Sequence, residues 1–275
     1  MSSSKEFLHG MQEYCDFIQN PDAKTFVKDV LDIVYSDDIE ESLILYMLKN
    51  IDKDEAKLFR FINDYIKKNG DYKTMSDAFS RGQMKSKIWL TEKLKAISPD
   101  WYKIVILAGW NGQLADILRH QISYRKCRVV DIDKQACWNS DYIFNIDRLE
   151  NHKVKAVCAD INNLTLHSNG YEWEVENFKT GDTYSEKFNP KLIINTSAEH
   201  MTTEWFNQIR FKNWEEMPTV AIQSNNYFDL PEHINCVHSN NHMEKMFPMQ
   251  EIYYSGELQL KGYKRVMLIG KPHAG

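Results

Sequence analysis

Polar residues follow three apolar runs that are typical of buried strands. The first run leads into a glycine-bearing turn, and the next two end in the pairs Asp131-Ile132 and Asp160-Ile161. The turn consists of Ala108, Gly109, Trp110, Asn111 and Gly112. Glycines let a ligand approach the backbone, and a helix starting after the turn offers free N–H groups. A strand-end carboxylate can accept hydrogen bonds from ribose hydroxyls, and an acid beside an apolar residue can hold an adenine ring. These segments predict a nucleoside-containing cofactor, although each acid could instead cap a helix.

A further polar group follows the apolar run that ends at Asn195. In open α/β sheets the reacting centre lies outside the carboxyl ends of the strands. Asn195, Glu199 and His200 are therefore predicted to be catalytic, with Glu199 or His200 as a general base. The alternative is that Glu199 and His200 only cap a helix beginning near Thr203.

Amide and aromatic side chains are dense around the end of the strand predicted at Val220 to Ser224. They are Gln223, Ser224, Asn225, Asn226 and Tyr227. Amides both donate and accept hydrogen bonds, so they suit a polar substrate without adding charge. We predict that these five residues bind the substrate, with turn formation by Asn225-Asn226 as the alternative.

One cluster combines residue types that bind zinc, namely His233, Cys236, His238 and His242. The segment is predicted to be a loop and lacks the tight paired spacing of zinc modules. The sequence therefore predicts no metal site.

The composition limits the class of protein. The chain has 275 residues, a formal net charge of −5 and 43 % hydrophobic residues, which is typical of a folded globular chain. No apolar run approaches the roughly 18 residues that a membrane span needs, and the first residues lack the apolar core of a secretory signal. Five cysteines without a CxxC pair predict reduced thiols in a cytoplasmic protein. The acidic balance disfavours nucleic-acid binding without excluding it.

The periodicity of apolar residues predicts two domains. Residues 1–98 show helical stripes over 7–18, 26–34, 39–48, 58–65 and 75–97, which predicts an all-helical N-terminal domain. From Tyr102 short apolar runs alternate with helical patterns, so 99–275 is predicted to be an α/β domain with a Rossmann-like, doubly wound parallel sheet. Strands are predicted at 103–109, 128–132, 154–159, 192–195 and 220–224, and helices at 113–119, 134–145 and 203–210. An inserted hairpin over 171–188 and a C-terminal antiparallel hairpin, 252–260 with 264–269, complete the expected fold.

The order of glycine turn, two strand-end acids and terminal antiparallel hairpin resembles the class I S-adenosylmethionine-dependent methyltransferases, over about residues 102–271. The resemblance implies S-adenosylmethionine as the cofactor, with the turn 108–112 around its amino-acid part. It further implies that Asp131 with Ile132 binds the ribose, that Asp160 with Ile161 binds adenine, and that Asn195 borders the cofactor. An Arg81 or Gln83 side chain would contact the cofactor carboxylate, unless both belong to a solvated basic helix face.

Three positions depart from the pattern of that family. Ile106 stands where the family has an acid, and Ala108 and Trp110 stand where it has glycines. The large Trp110 side chain is predicted to shape the pocket beside the amino-acid part of the cofactor.

The resemblance implies methyl transfer to a polar small molecule, because the Pro-Pro motif of the DNA amine methyltransferases is absent after Asn195. A second reading comes from the helical domain before the fold, which is similar to nicotianamine synthase. It implies attack at the γ carbon of the cofactor, by aminocarboxypropyl transfer or cyclisation, with release of methylthioadenosine.

A third interpretation is RNA methylation, based on basic residues such as Lys67, Lys68 and Lys73. A non-enzymatic binding module is the remaining alternative. The acceptor and the oligomeric state stay open at this point.

Overall fold

The computed structural model describes residues 3–19, 78–145, 153–168, 170–177, 180–209, 211 and 214–273. The chain divides into two compact units, 1–91 and 92–275. The boundary between the units falls inside a helix, whereas the sequence pattern places it at 98/99.

The first unit begins with helix α1, Ser3–Ile18, as its apolar stripe predicts. Phe7, Met11 and Tyr14 on that stripe are buried. Helix α2, Arg81–Ile97, follows a turn at Phe79, so it starts later than the predicted Met75. The helices predicted over 26–34, 39–48 and 58–65 lie outside the described residues.

The second unit is built on a seven-stranded sheet with the order β3-β2-β1-β6-β7-β9-β8. Five of these strands are parallel: β1 Lys103–Leu107, β2 Lys126–Asp131, β3 Val154–Cys158, β6 Leu192–Asn195 and β7 Thr219–Asn225. Strand β9, Lys264–Pro272, pairs antiparallel with β7, and β8, Met249–Gln259, pairs antiparallel with β9. The predicted doubly wound sheet with a terminal antiparallel hairpin is confirmed.

The described part of the second unit contains four helices besides the end of α2. They are α3 Gln113–Arg119, α4 Lys134–Asn145, α5 Glu204–Asn207 and α6 Asn240–Met246. The predicted helix 203–210 is therefore shortened to a single turn. Helix α6 lies in a segment that the sequence predicts to be a loop, and the Ser239 side chain caps it by accepting from the His242 N–H. No helix in the described part of the chain is long and apolar enough to cross a membrane.

The inserted hairpin forms its own two-stranded sheet, β4 Tyr171–Glu176 with β5 Thr183–Phe188. Buried and solvent-facing side chains alternate along β4: Tyr171, Trp173 and Val175 are buried, while the glutamates that follow each of them are exposed or half-buried. Arg128 of β2 donates to both carboxylate oxygens of Glu186, at 2.7 Å and 2.6 Å, which fixes the hairpin to the main sheet.

Candidate functional site

The strand order places a topological switch point beside β1. Strand β1 has β2 on one side and β6 on the other, so the chain winds outwards in opposite directions from this position. Ligands of open α/β sheets bind in the crevice outside the carboxyl ends at such a point. The turn 108–112 after β1 and the segment 196–201 after β6 flank this crevice.

The glycine turn is tied to the end of β2. The Trp110 N–H donates to Asp131 Oδ2 at 2.8 Å, and the Gly109 N–H donates to the Val130 carbonyl at 3.1 Å. A Cβ on Gly109 would lie 2.5 Å from Val129 Cγ1, so this close approach requires glycine. Gly112 has a φ of 77° and leads directly into α3.

The backbone explains two departures from the family pattern. Ala108 has a φ of 46° and Trp110 a φ of 48°, and both values lie in the left-handed region that favours glycine. Each such residue costs about 1–3 kcal/mol and persists only where the surroundings fix it. The turn therefore keeps the backbone path that glycines would adopt, although two side chains are present.

Asp131 lies at the crevice with its carboxylate already oriented. Oδ2 accepts from Trp110 N, and Oδ1 accepts from Asp133 N at 3.0 Å. Burial raises the pKa of Asp131 above its ordinary value, although these N–H donors oppose the shift. A carboxylate has about four acceptor positions, so lone pairs stay open for ribose hydroxyls. Ile132 is 70 % exposed beside it and offers an apolar surface at the same edge.

Asp160 lies at the edge of the sheet, whereas the Ile161 side chain is buried. Asp160 caps a 3-10 turn over Ile161–Asn163, because Oδ1 accepts from Asn162 N at 2.9 Å. Asp160 therefore caps a helical turn, as the alternative interpretation of the sequence predicts. Its remaining lone pairs are the ones that could accept hydrogen bonds from a ligand. Ile161 is 8 % exposed and packs in the core, since the turn directs it inwards. The contact of Ile161 with an adenine ring stays a prediction, and Ile132 is the more exposed apolar side chain at this edge.

Asn195 ends β6 and shapes the segment that follows. Its Oδ1 accepts from the Ser197 N–H at 3.0 Å, and its Nδ2 lies 3.0 Å from Met201 Sδ. The side chain is fully buried. In this structure Asn195 supports the turn that carries Glu199.

Glu199 is a buried carboxylate held by two donors. Oε1 accepts from Asn225 Nδ2 at 2.7 Å and from an Arg265 guanidinium nitrogen at 2.8 Å. Oε2 is buried and has no hydrogen-bond partner. Thr203 is the residue at the N-cap position of α5, so the helix-capping alternative for Glu199 is not what the structure shows.

Two histidines meet beside Glu199. The rings of His200 and His233 are edge-to-face with centroids 4.6 Å apart. His233 Nδ1 lies 2.6 Å from the Tyr227 carbonyl oxygen, which can only accept, so Nδ1 carries a proton; in the neutral ring Nε2 then has a lone pair. The sequence did not reveal that His233 joins His200.

Arg265 was also missed by sequence reasoning. It lies on β9 opposite Asn225, a pairing set by the register of two antiparallel strands. Arg265 and Glu199 are 66 positions apart, and no local pattern indicates that they form an ion pair.

Strand β7 extends one residue beyond the predicted Ser224, so it includes three of the five polar residues 223–227. Gln223, Ser224 and Asn225 belong to the strand itself, and all three are buried. Gln223 Nε2 lies 3.6 Å from Met267 Sδ, and Ser224 Oγ donates to the Asn235 carbonyl at 3.1 Å. The segment after the strand covers this end, since the Val237 N–H donates to the Asn225 carbonyl at 2.8 Å. A role of the three side chains in substrate binding stays a prediction.

The other two residues of that group lie beyond the strand. Asn226 Oδ1 accepts from the Lys264 N–H at 2.7 Å and so supports the start of β9. Tyr227 is 39 % exposed, with its ring 6.0 Å from that of His233. Of residues 223–227, Asn225 and Tyr227 therefore contact the Glu199–His233 group directly.

Arg81 and Gln83 lie at the start of α2 in the first unit. Arg81 Nε pairs with Glu13 Oε1 at 3.0 Å, and Gln83 Oε1 accepts from Lys87 Nζ at 3.0 Å. Their contact with a cofactor stays a prediction.

The four residues of the zinc-like sequence cluster do not gather. Cys236 Sγ lies 3.2 Å from the Tyr227 carbonyl, and burial raises the pKa of its thiol. His238 and His242 stack on each other with ring centroids 5.6 Å apart. His233 is directed to His200 instead, so this cluster does not form the tetrahedral site that its residue types suggest.

A cavity of about 370 Å³ opens at the opposite edge of the sheet. Its lining includes Tyr102, Lys191 and Thr219, which lie just before or at the start of β1, β6 and β7. The amino ends of parallel strands are not where ligands of this architecture bind, so the candidate site remains at the carboxyl edge.

Comparisons with known proteins give structural likeness only. No family model and no curated protein sequence matches the chain. The magnesium protoporphyrin IX methyltransferase of Synechocystis, solved with bound S-adenosylmethionine, is 9 % identical, covers 78 % of this chain and 96 % of its own, and has a TM-score of 0.48. An S-adenosylmethionine-dependent methyltransferase of Clostridium acetobutylicum is 14 % identical over 79 % of this chain and 98 % of its own, with a TM-score of 0.46. Spermidine synthase of Thermotoga maritima is 11 % identical over 69 % of this chain and 59 % of its own, with a TM-score of 0.41.

The strand order of the sheet is independent of these likenesses. Five parallel strands in the order β3-β2-β1-β6-β7 are followed by β9, which is antiparallel and lies between β7 and β8. A reversed last strand inserted at this position distinguishes the arrangement from an all-parallel dinucleotide-binding sheet. The chain has a Rossmann-like, doubly wound sheet with a reversed last strand, which is the fold that the resemblance to the class I S-adenosylmethionine-dependent methyltransferases implies.

Proposed function

We propose that the protein is a transferase that uses S-adenosylmethionine to methylate a polar small molecule. One observation carries the proposal: the loop 108–112 with Asp131 and the group around Glu199 lie on the two sides of one switch point. A cofactor bound by the first group would present its reactive centre towards the second.

The residues of the first group suit the parts of this cofactor. Asp131 offers charged acceptor positions for ribose hydroxyls, and the exposed Ile132 offers an apolar surface for the adjoining ring. Asn111 in the turn is 1 % exposed, and its Nδ2 has no partner in the described part of the chain, although Oδ1 accepts from Asn139 at 2.9 Å. A buried amide donor without a partner is costly, so it suits a position that contacts a polar ligand.

The second group would orient the acceptor and remove its proton. The cofactor supplies an activated methyl group on a sulfonium, so positioning of the acceptor for in-line attack accounts for most of the rate. Oε1 of Glu199 is already engaged by Arg265 and Asn225, and the carboxylate is buried, so it is poorly placed to take a proton from an acceptor. The imidazoles of His200 and His233 are therefore the better groups to take a proton from an acceptor O–H or N–H.

Attack at the γ carbon is a second candidate, favoured by one observation. Trp110 keeps the left-handed backbone of a glycine position and sits in the turn expected to hold the amino-acid part of the cofactor. A large ring there could reposition the γ carbon towards the acceptor. The product would then be methylthioadenosine.

The experiment is mass spectrometry of the nucleoside product after incubation with S-adenosylmethionine and a metabolite extract. S-adenosylhomocysteine is expected for methyl transfer, whereas methylthioadenosine would establish the second candidate. Asp131→Ala serves as the control and is expected to give neither. If the wild-type protein leaves the cofactor unchanged while binding it, the proposal of a transferase would be contradicted.

A further inference from the structure

The group beside the switch point has the donors of a metal site. One ligand atom each of Glu199, His200 and His233 can be chosen so that all three lie within 4.8 Å of one another. It is the one such group of His, Cys, Asp or Glu side chains found in the described part of the chain. The three residues come from the segment after β6 and the loop after β7, so the fold brings them together.

Two observations independent of this clustering point to a bound cation. Glu199 is 2 % exposed, and its Oε2 is buried without a hydrogen-bond partner, while Oε1 is fixed by Asn225 and Arg265. A buried carboxylate oxygen that lacks a donor is expensive unless a cation completes it.

The second observation is the orientation of His233. Its Nδ1–H donates to the Tyr227 carbonyl at 2.6 Å, so the Nε2 lone pair is available as a ligand. Metal-binding histidines almost always donate their other ring N–H to a carbonyl or a carboxylate in this way. Asn225 and Arg265 orient the Glu199 carboxylate in the same manner.

A simpler account treats Glu199 and Arg265 as a buried structural ion pair. The pair explains Oε1 and the neutralised charge of Arg265, whose side chain is 4 % exposed. It explains neither the unpartnered Oε2 nor the approach of two imidazoles to the same carboxylate.

We propose that Glu199, His200 and His233 bind a divalent cation of the zinc type. Two imidazole nitrogens and one carboxylate oxygen suit zinc and its neighbours in the transition series, whereas Mg²⁺ and Ca²⁺ prefer oxygen ligands throughout. Because Arg265 offsets the charge of Glu199, binding depends on the imidazoles, which again selects against Mg²⁺. Three protein ligands leave a fourth position open, as in catalytic zinc sites.

A role for this cation rests on the proposed function. An acceptor O–H or N–H at the open position would have its pKa lowered by the cation. With the cation bound, the two imidazoles serve as ligands and not as bases, so the proton of the acceptor would pass to water. The acceptor lone pair would then form a bond to the methyl carbon as the carbon–sulfur bond breaks, with that bond's electron pair going to sulfur.

The test is calorimetric titration of the chelator-treated full-length protein with Zn²⁺ and, separately, with Mg²⁺. We expect one Zn²⁺ per chain and no heat from Mg²⁺ at the same concentrations. His233→Ala and His200→Ala are each expected to weaken Zn²⁺ binding by at least about tenfold, since loss of even an outer-shell partner of a metal site typically costs 10–100-fold. These two residues are not part of the buried ion pair, so both variants are expected to fold, and their melting temperatures check this.

The control is His238→Ala, which removes an exposed histidine of the same loop. Unchanged affinity in this variant is expected. Loss of binding in His238→Ala but not in His200→Ala would move the site to the His238–His242 pair and overturn the proposal. Absence of Zn²⁺ binding by the wild-type protein would also overturn it. Titration of the metal-free protein with S-adenosylmethionine is a separate readout, so failure of the metal site and failure of the proposed function can be told apart.

Discussion

At the scale of single residues, Glu199 combines a buried ion pair with a carboxylate oxygen that has no hydrogen-bond partner. Its Oε1 neutralises a buried guanidinium, and its Oε2 faces no donor. The position of the residue after β6 could be predicted, because polar groups at strand ends border the crevice. Its partner Arg265 could not be predicted, because cross-strand register depends on tertiary pairing and leaves no local trace.

Gly109 permits a residue-scale prediction about the turn. Gly109→Ala should lower the free energy of unfolding by about 1–3 kcal/mol, because the new Cβ would meet Val129 Cγ1 at 2.5 Å. Chemical denaturation of both proteins measures the difference. In a Val129→Ala background the same change should cost less, because the opposing methyl group is gone. An equal cost in both backgrounds would show that the contact is not the cause.

At the scale of elements, the parallel strands were predictable since strands buried on both faces are continuous apolar runs. The first and last residues of β2 and β7 were misplaced by one or two positions because their ends are polar. Helix α6 was missed, since Met243 is the single fully buried residue in its seven. Its Ser239 cap is a start signal that is readable only once the helix is suspected.

The attachment of the hairpin to β2 gives an element-scale prediction. Arg128 is 1 % exposed and pairs with Glu186, so Glu186→Ala leaves a buried charge without its partner. We expect a loss of about 3–5 kcal/mol in the free energy of unfolding, measured by denaturant titration. Glu172→Ala is the matched control, because Glu172 and Lys187 form an exposed pair on the same hairpin at 3.7 Å. The control should cost less than about 1 kcal/mol, and equal losses would contradict the account.

The same ion pair predicts a dependence of stability on pH. Burial alone would raise the pKa of Glu186, but the hydrogen bond and the charge of Arg128 outweigh it and hold that pKa below its ordinary 4.5. A folded-state pKa below the unfolded value gives stability that is present above pH 4.5 and is lost as the pH falls through the folded value. Below pH 4.5 the free energy of unfolding should therefore fall more steeply for wild type than for Glu186→Gln. Parallel curves in acid titrations would refute this assignment.

At the scale of the whole molecule, the boundary between the two units lies inside α2. Residues at its carboxyl end belong to the second unit, and two contacts hold them there: the Leu94 carbonyl accepts from Trp101 Nε1 at 3.3 Å, and Lys95 donates to Gln121 at 2.6 Å. The sequence placed the boundary after this helix, because Pro99 marks where the helical pattern stops. A break in periodicity shows where an element ends and does not show which neighbours it packs against.

These contacts predict how fragments behave. A fragment 81–275 retains the whole of α2, whereas 99–275 loses the Leu94 and Lys95 contacts. The longer fragment should therefore melt at the higher temperature, by about 2–4 °C for each kcal/mol of lost interaction. Differential scanning calorimetry of the two fragments measures this difference, and equal melting temperatures would support the predicted boundary at 98/99.

The central claim is that this fold binds S-adenosylmethionine at Asp131. Calorimetric titration of the cofactor into the wild-type protein should give one site per chain. Asp131→Ala should weaken the affinity by about tenfold or more, since a hydrogen bond to a charged group contributes about 1.5–3 kcal/mol. Asp182→Asn, a change in the exposed turn of the hairpin, should leave the affinity unchanged. Absence of binding to the wild-type protein, or equal affinity in a folded Asp131→Ala variant, would contradict the account.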